Sequence, residues 1–151
     1  MELLIALLVV VLGWRWLTTS SQGGTVGQTA APGPSSGDAI GPITQAIAQM
    51  EGWFKPGSLA QRTNNPGNIG TFGGKVASYP DAGTGFESLQ TWVQTHAAQH
   101  PEWDFYDMFH YYLTGDTLSN GGPNQHPDAY AEYVANSIGV DPTTPVSSVL
   151  G

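Results

Sequence analysis

Apolar residues recur at helical spacing through much of the chain, beginning with a stretch that runs from Pro42 to about Glu51. Ile43 and Ile47 lie four residues apart, and together with Met50 and then Phe54 they form the core face of the helix predicted here. Proline suits the first position of a helix, and a glycine just past the end supplies a left-handed stop. We therefore predict a first helix that starts at Pro42 and stops at Gly52.

Three further helices are predicted from the same kind of pattern. The segment Thr84-Gly85-Phe86-Glu87 has the form of a capping box, in which Thr84 would be the N-cap and Glu87 its partner. Apolar positions continue from it along one helix face, at Phe86, Leu89, Val93 and Ala97. Another helix is predicted over residues 104–113, and a last one from Pro127 to a stop at Gly139. The tail from Asp141 is predicted to be short and irregular.

Two short segments with apolar residues lie between the first and second predicted helices and do not follow the helical spacing. Residues 68–72 and 75–79 are separated by Gly73-Gly74, which is the form of a small β-hairpin. The predicted fold is therefore mainly α with one small β-hairpin inserted after the first helix.

The N-terminal quarter of the chain, residues 1–37, has no such periodicity. Residues 3–12 are continuously apolar and are followed by Trp14, Arg15 and Trp16. Residues 1–17 are therefore predicted to be a membrane anchor. The segment is short for this role, because a helix that spans a bilayer needs about 20 apolar residues. A cleaved signal peptide is the alternative, but its first residues would carry Lys or Arg where this chain has Glu2. Residues 18–37 are rich in Gly, Ser, Thr and Pro and are predicted to be a flexible linker, which leaves residues 38–151 as the folded domain.

Charge and composition narrow the possible partners. Twelve acidic residues against four basic ones give a formal charge of −8, and the basic residues form no cluster that could neutralise phosphates. Nucleic acid is therefore not an expected partner. Because only 11% of residues are charged while neutral polar residues abound, the surface suits carbohydrate. The chain has no cysteine, which excludes a disulfide, a thiol nucleophile and a cysteine zinc site.

Glu51 is the first candidate for a catalytic residue. It ends the first predicted helix at the edge of the apolar face, where a negative charge is mildly unfavourable against the helix dipole. A carboxyl that is partly buried among apolar groups should have a pKa above its ordinary value. A raised pKa is what a general acid needs to remain protonated near neutral pH. About a dozen residues later comes Asn64-Asn65-Pro66-Gly67-Asn68-Ile69, a polar turn rich in side-chain amides.

Together these residues resemble the lysozyme-like peptidoglycan-cleaving enzymes. Besides Glu51 and the asparagine turn, the resemblance includes Tyr79-Pro80 and the Gly85-Phe86 helix start, and it is most similar to lytic transglycosylases and the virion-associated lytic proteins of bacteriophages. It implies a lysozyme-like α+β fold, with Glu51 as the acid that protonates the glycosidic oxygen between N-acetylmuramic acid and N-acetylglucosamine. The resemblance also implies substrate-binding residues, which are Asn64, Asn65, Asn68, Tyr79 and Tyr130. The three asparagines would shape the cleft by holding the hairpin and would bond acetamido or hydroxyl groups of the sugar. Tyr79 would face Glu51 from the hairpin, and Tyr130 would approach the same cleft from the last helix.

A second carboxylate would distinguish a hydrolase from a lyase. Asp81, just past the hairpin, is the candidate second acid, although its place between Pro80 and Gly83 equally suits a turn or a helix start. If Glu51 acts alone, the lytic transglycosylase route is natural, since the 6-hydroxyl of muramic acid attacks the anomeric carbon. No cofactor is expected. A metal site is not expected either, because His96 and His100 lack the glutamate and the third ligand of a zinc site.

These observations predict a membrane-tethered enzyme, with the catalytic domain facing the cell wall from a virion membrane or a bacterial inner membrane. Its partners would be the membrane and the glycan strands of peptidoglycan. Two alternatives stay open. One keeps the fold but makes the protein a muramidase or a murein endopeptidase, and the other is a virion structural or wall-binding protein without turnover.

Overall fold

The computed structural model describes residues 39–70 and 75–150. This part of the chain is mostly helical. In chain order its helices are α1 (Ile40–Met50), α2 (Leu59–Arg62), α3 (Ala82–Gln99), α4 (Phe105–Thr114), α5 (Pro127–Ser137) and α6 (Val146–Leu150). The predicted anchor and linker, residues 1–17 and 18–37, lie outside the described residues. None of the described helices has both the length and the apolar composition needed to cross a bilayer.

Helix α1 confirms the predicted stop and part of the predicted core face, but it begins two residues earlier than expected. Ile43 and Ile47 are fully buried, whereas Met50 and Phe54 are 42% and 56% exposed, so the prediction that these two belong to the core is wrong. The helix ends at Met50, and Phe54 beyond it no longer follows the helical spacing. Gly52 has a φ of +75°, the left-handed conformation that ends the helix. Pro42 is the third helical residue and not the first. The position is still compatible with proline, because the first four N–H groups of a helix have no intrahelical partner.

Helix α3 starts at a different cap from the predicted one. Asp81 is the N-cap, and its Oδ1 accepts hydrogen bonds from the Thr84 backbone N–H at 2.8 Å and from the Thr84 hydroxyl at 3.2 Å. Thr84 is therefore the third residue of the helix, and the predicted capping box with Glu87 is wrong. Asp81 takes the role because its backbone is extended (φ −153°), the conformation from which a side chain can reach the N–H three residues on.

The last two predicted helices are confirmed within a residue. Asp104 caps α4 by accepting the Asp107 N–H at 3.0 Å, and Gly115 ends it with a φ of +77°. Helix α5 begins at Pro127, and Gly139 follows its end with a φ of +74°.

Two short helices were not predicted. Helix α2 is capped by Ser58, whose side chain accepts from the Gln61 N–H at 3.2 Å, and it leads directly into the asparagine turn. Helix α6 corrects the expectation of an irregular tail. It docks because Val146 is buried and its N–H bonds the carbonyl of Trp103 at 3.0 Å, a partner distant in sequence.

The region of the predicted hairpin is described only in part. An isolated antiparallel bridge joins Gly70 and Val76, and the Ala77 N–H donates to the carbonyl of Ile69 at 2.9 Å. No strand occurs in the described ranges on either side of residues 71–74. The predicted Gly73-Gly74 turn lies outside the described residues, so the hairpin itself stays a prediction.

One apolar core joins five of the helices. Helix α1 packs against α3 and α5, and α4 packs against α5. The largest fully buried side chains include Phe105 and Phe109 of α4 and Leu89 of α3. This packing sets the end of α1, where Glu51 lies, opposite the buried side chain of Tyr130 in α5.

Gly85 lets the asparagine turn lie directly on the first turn of α3. A Cβ atom at this position would lie 1.9 Å from the carbonyl oxygen of Asn64 and 2.9 Å from Cδ of Pro66. The backbone of the turn and the helix are therefore closer than any other residue type allows.

We predict that Gly85→Ala destabilises the protein by about 1–3 kcal/mol or more, because a backbone oxygen has to move to admit the methyl group. The matched control is Gly41→Ala in α1, where a Cβ meets nothing within 4 Å. That change should cost much less, since its Cβ meets no atom beyond the neighbouring residues, although the following Pro42 disfavours the helical conformation of a non-glycine residue. Chemical denaturation of both variants measures the difference, and equal stabilities would contradict the close approach.

Candidate functional site

Glu51 is the C-cap of α1 and its side chain lines a pocket of about 170 Å³. The pocket lies between the end of α1, the asparagine turn, α3 and α4. Its lining residues are Glu51, Gly67, Asn68, Ile69, Gly70, Trp92, Tyr112 and Leu113. Glu51 is the acidic residue among them, so the predicted carboxyl does face a cavity large enough for a small polar group.

Both oxygens of the Glu51 carboxyl accept a hydrogen bond. The Tyr130 hydroxyl donates to Oε1 at 2.9 Å, and Nδ2 of Asn68 donates to Oε2 at 2.9 Å. Asn68 Nδ2 also lies 3.5 Å from the backbone oxygen of Glu51. The carboxyl is thereby held in one orientation by groups from two distant parts of the chain.

Burial raises the pKa of the Glu51 carboxyl above its ordinary value. The two hydrogen bonds act in the opposite direction, first that from Asn68 and then that from Tyr130, because each stabilises the charged form. The effect of burial is larger than that of both bonds together, and the pKa stays raised. Such a balance favours the protonated acid while keeping donors ready for the carboxylate, as acid and base catalysis by one group requires.

The asparagine turn owes its shape to two left-handed residues. Asn64 has a φ of +51° and Asn68 a φ of +45°, a conformation that asparagine tolerates better than most residues. Asn64 Nδ2 donates to the carbonyl of Tyr79 at 3.1 Å, which ties the turn to the segment before α3. The turn therefore presents Asn68 to Glu51, while Asn64 holds its far side.

Asn65 has the most buried side chain of the three asparagines and serves the turn itself. It is fully buried; Nδ2 donates to the carbonyls of Ile69 at 2.9 Å and Ala77 at 3.0 Å, and Oδ1 accepts the Ile69 N–H at 3.0 Å. All of the amide's strong donors and its acceptor are engaged in the protein. Of the two roles predicted for Asn65, shaping the cleft is the one these contacts serve.

The side chain of Asn68 is only partly satisfied. Its Oδ1 is buried and has no hydrogen-bond partner within the described part of the chain. A buried acceptor without a partner costs about 1–3 kcal/mol. The orientation is nevertheless the one expected beside Glu51, because both nearby oxygens of Glu51 are acceptors and require the N–H side of the amide.

Tyr79 and Asp81 make no hydrogen bond to the Glu51 carboxyl within the described residues. The Tyr79 N–H donates to the carbonyl of Thr63 at 2.9 Å, but in residues 39–70 and 75–150 the hydrogen bonds to the Glu51 carboxyl come from Asn68 and Tyr130. Asp81 is exposed, and its hydrogen bonds to the backbone and then the side chain of Thr84 lower its pKa. The roles of Tyr79 as a facing tyrosine and of Asp81 as a second acid stay predictions, and the contacts of Asp81 are those of a cap.

Tyr112 lines the Glu51 pocket, although no sequence pattern predicted it there. Its hydroxyl donates to the carbonyl of Gly67, and its ring lies 5.8 Å from that of Tyr130, centroid to centroid. Burial raises the pKa of Tyr112 well above its usual value, and the charge of Glu51 adds to this. An aromatic residue at helical spacing is ordinarily a core residue, so periodicity alone would not separate Tyr112 from Phe109.

The two histidines weighed as zinc ligands contact tryptophans. The His96 ring stacks on Trp92 with centroids 4.0 Å apart, and the His100 ring stacks on Trp103 at 3.9 Å. The described residues include no group of three or more His, Asp or Glu side chains that could hold a metal ion.

A larger concavity of about 390 Å³ lies between α3 and α6. It is lined by Gln94, Ala97, Ala98, Ser147 and Leu150, none of which ionises. The Glu51 pocket is smaller, but it combines a buried carboxyl with converging donors, and perturbed ionisable groups of this kind mark functional sites.

No family model, curated protein or solved structure matches this chain. The function proposed below therefore rests on the geometry around Glu51 and on the sequence pattern.

We predict that Glu51→Gln stabilises the protein increasingly as pH rises. A folded-state pKa above the unfolded value contributes stability that is fully present below the unfolded pKa, about 4.3, and is lost as pH rises through the folded pKa. The non-titrating glutamine avoids that loss, so the stability of the variant relative to wild type should increase between pH 4 and pH 8.

Denaturation at several pH values between 4 and 8 measures this difference. Glu87→Gln, which removes an exposed glutamate of α3, controls for the loss of one negative charge. A stability difference between Glu51→Gln and wild type that does not change with pH would show that the Glu51 pKa is not raised.

Proposed function

We propose that this chain cleaves the glycan strands of bacterial peptidoglycan, with Glu51 as the catalytic acid and base. The observation that carries the proposal is the part-buried Glu51 carboxyl, which faces a pocket and receives hydrogen bonds from Asn68 and Tyr130. The resemblance of the residues around it to lysozyme-like enzymes supplies the substrate class.

The reaction we favour is that of a lytic transglycosylase. Protonated Glu51 gives its proton to the glycosidic oxygen between N-acetylmuramic acid and N-acetylglucosamine, and the bond from that oxygen to the muramic anomeric carbon breaks. The muramic 6-hydroxyl oxygen then bonds to the anomeric carbon while its proton passes to the Glu51 carboxylate. The products are a 1,6-anhydromuramic end and a free 4-hydroxyl, and the acid is regenerated.

A single acid supports the lyase over a hydrolase. Glu51 is the one carboxyl that lines the pocket within the described residues, and residues 71–74, Thr-Phe-Gly-Gly, contain no acid. A two-carboxylate glycosidase needs a second acid about 5–9.5 Å from the first. Asp81, the candidate for that role, is exposed and caps α3.

Asn68 and Tyr130 would stabilise the Glu51 carboxylate that forms during the reaction. When Glu51 has given up its proton, each oxygen of the carboxylate already has a donor at 2.9 Å. These donors need no rearrangement when the charge appears, which is how preorganised groups lower a barrier.

We further propose that the enzyme acts from a membrane, with residues 1–17 as the anchor and residues 18–37 as a linker. Ten consecutive apolar residues followed by two tryptophans around Arg15 support the anchor. A tethered enzyme cuts the wall locally, which suits a bacteriophage virion component that opens a passage through the host wall.

Digestion of purified peptidoglycan by the full-length chain tests the proposal. We expect wild type to release fragments with 1,6-anhydromuramic ends by mass spectrometry, and Glu51→Gln to be slower by about 100-fold or more, since general acid catalysis contributes roughly 10²–10⁴. Reducing ends would indicate a muramidase, and freed peptides an endopeptidase. Absence of any product from wild type would favour a wall-binding protein, and equal rates for the two proteins would contradict the assignment of Glu51.

We predict that Tyr130→Phe moves the alkaline limb of the activity profile to higher pH. Loss of the hydroxyl removes a bond that stabilises the carboxylate, so the Glu51 pKa should rise further and the protonated acid should persist to higher pH. The pH dependence of the cleavage rate measures the shift. Tyr133→Phe, the same change at an exposed tyrosine of the same helix, should leave the limb in place; a Tyr130→Phe limb that does not move, or moves to lower pH, would contradict the assignment.

A further inference from the structure

A row of aromatic rings leads away from the Glu51 pocket along α3. Trp92 lines the pocket, and the His96 ring stacks on it with centroids 4.0 Å apart. Trp103 lies parallel to His96 to within 20° at 6.4 Å, and His100 stacks on Trp103 at 3.9 Å and 8°. Tyr111 of α4 flanks the row, 5.4 Å from His96 and 5.1 Å from Trp103. We call these five side chains the aromatic row.

The aromatic row is separate from the core face of α3. That face consists of Leu89, Val93 and Ala97, which are buried. Trp92 and His96 each precede a core residue by one position and so lie on an adjacent side of the helix. All five members of the row are partly exposed, although Trp92 and Trp103 also pack against the core. The core thus holds the rings in place while part of each remains accessible.

His96 brings a polar group to the row in a defined orientation. Its Nδ1 lies 2.8 Å from the carbonyl oxygen of Trp92. A carbonyl only accepts, so Nδ1 carries the hydrogen and Nε2 of the uncharged ring is an acceptor. A hydroxyl group of a ligand is a suitable donor for it.

Apolar ring surfaces with a few fixed polar groups suit a ligand that has both apolar faces and hydroxyl groups. Sugar rings have this composition, with C–H groups on their faces and hydroxyl groups at their edges. Nucleic acid also stacks on aromatic rings, but the chain's charge of −8 opposes a phosphate backbone.

We infer that the aromatic row binds further sugar units of the same glycan strand whose bond Glu51 cleaves. Trp92 is common to the pocket and the row, so a strand that enters the pocket passes onto the row without a break. The inference rests on the proposed function for its choice of glycan. It adds that affinity grows with strand length beyond the units held at the pocket.

Chain-length dependence of binding tests the inference. The full-length Glu51→Gln chain, which prevents turnover, is titrated calorimetrically with β-1,4-linked N-acetylglucosamine oligomers of two to six units. The same titrations are done with His96→Ala and His100→Ala combined in that background, which places the best helix former at His96 and leaves the core face intact. We expect the hexamer to bind this variant about 3- to 10-fold more weakly, with a smaller loss for the dimer.

Two further variants make the outcome specific. His126→Ala removes an exposed histidine outside the row and should bind every oligomer like its parent. Tyr111→Ala, a member of the row on another helix, should repeat the loss for the hexamer and shows that the effect is not confined to α3. Thermal unfolding of each variant checks that it is folded.

Equal hexamer affinity in the row variants and their parent would overturn the inference, even if peptidoglycan cleavage by wild type is established. Absence of oligomer binding by the parent, or tighter binding of a single-stranded oligonucleotide at the row, would also overturn it. If binding increases with oligomer length and the row variants lose that increase, the inference is supported even if wild type does not cleave peptidoglycan. Failure of the proposed function is therefore distinguishable from failure of this inference.

Discussion

Burial of the Glu51 carboxyl is the constraint on which the site depends. A carboxyl taken out of water resists ionisation, and a fold tolerates it only when hydrogen bonds satisfy its oxygens. Tyr130 supplies one bond from α5 and Asn68 supplies the other from the turn. Packing of α1 against α5 and placement of the turn over α3 are therefore both required before Glu51 has its observed environment.

The turn provides its donor at a cost in local structure. Asn64 and Asn68 adopt positive φ, Asn65 is buried with its amide fully engaged, and Asn68 leaves one buried oxygen without a partner in the described ranges. Gly85 allows the turn to lie on α3 at a distance that no side chain permits. These features are unfavourable or neutral for stability taken singly, and they make sense as the means of holding one amide against Glu51.

Sequence reasoning succeeded where a local rule decides the outcome. Gly52 and Gly139 end helices because glycine accepts the left-handed conformation, and α5 begins at Pro127 because proline suits the first helical position. Capping was ambiguous at α3, where Asp81 and Thr84 both have the oxygen that a cap needs, and the extended backbone of Asp81 decided between them. Helix α6 was missed because its five residues depend on docking against Trp103, a contact with no local signature.

The sequence by itself determined that a carboxyl ends the first helix at the edge of its apolar face, and that a turn of asparagines follows. Helical periodicity and turn chemistry are properties of neighbouring residues, so both are readable without a structure. Only the tertiary structure decided that Tyr130, 79 residues away, donates to Glu51, that Tyr112 bonds Gly67, and that Asn65 faces inward. These contacts depend on which helix faces pack together, and the packing is determined by all the residues of the core jointly.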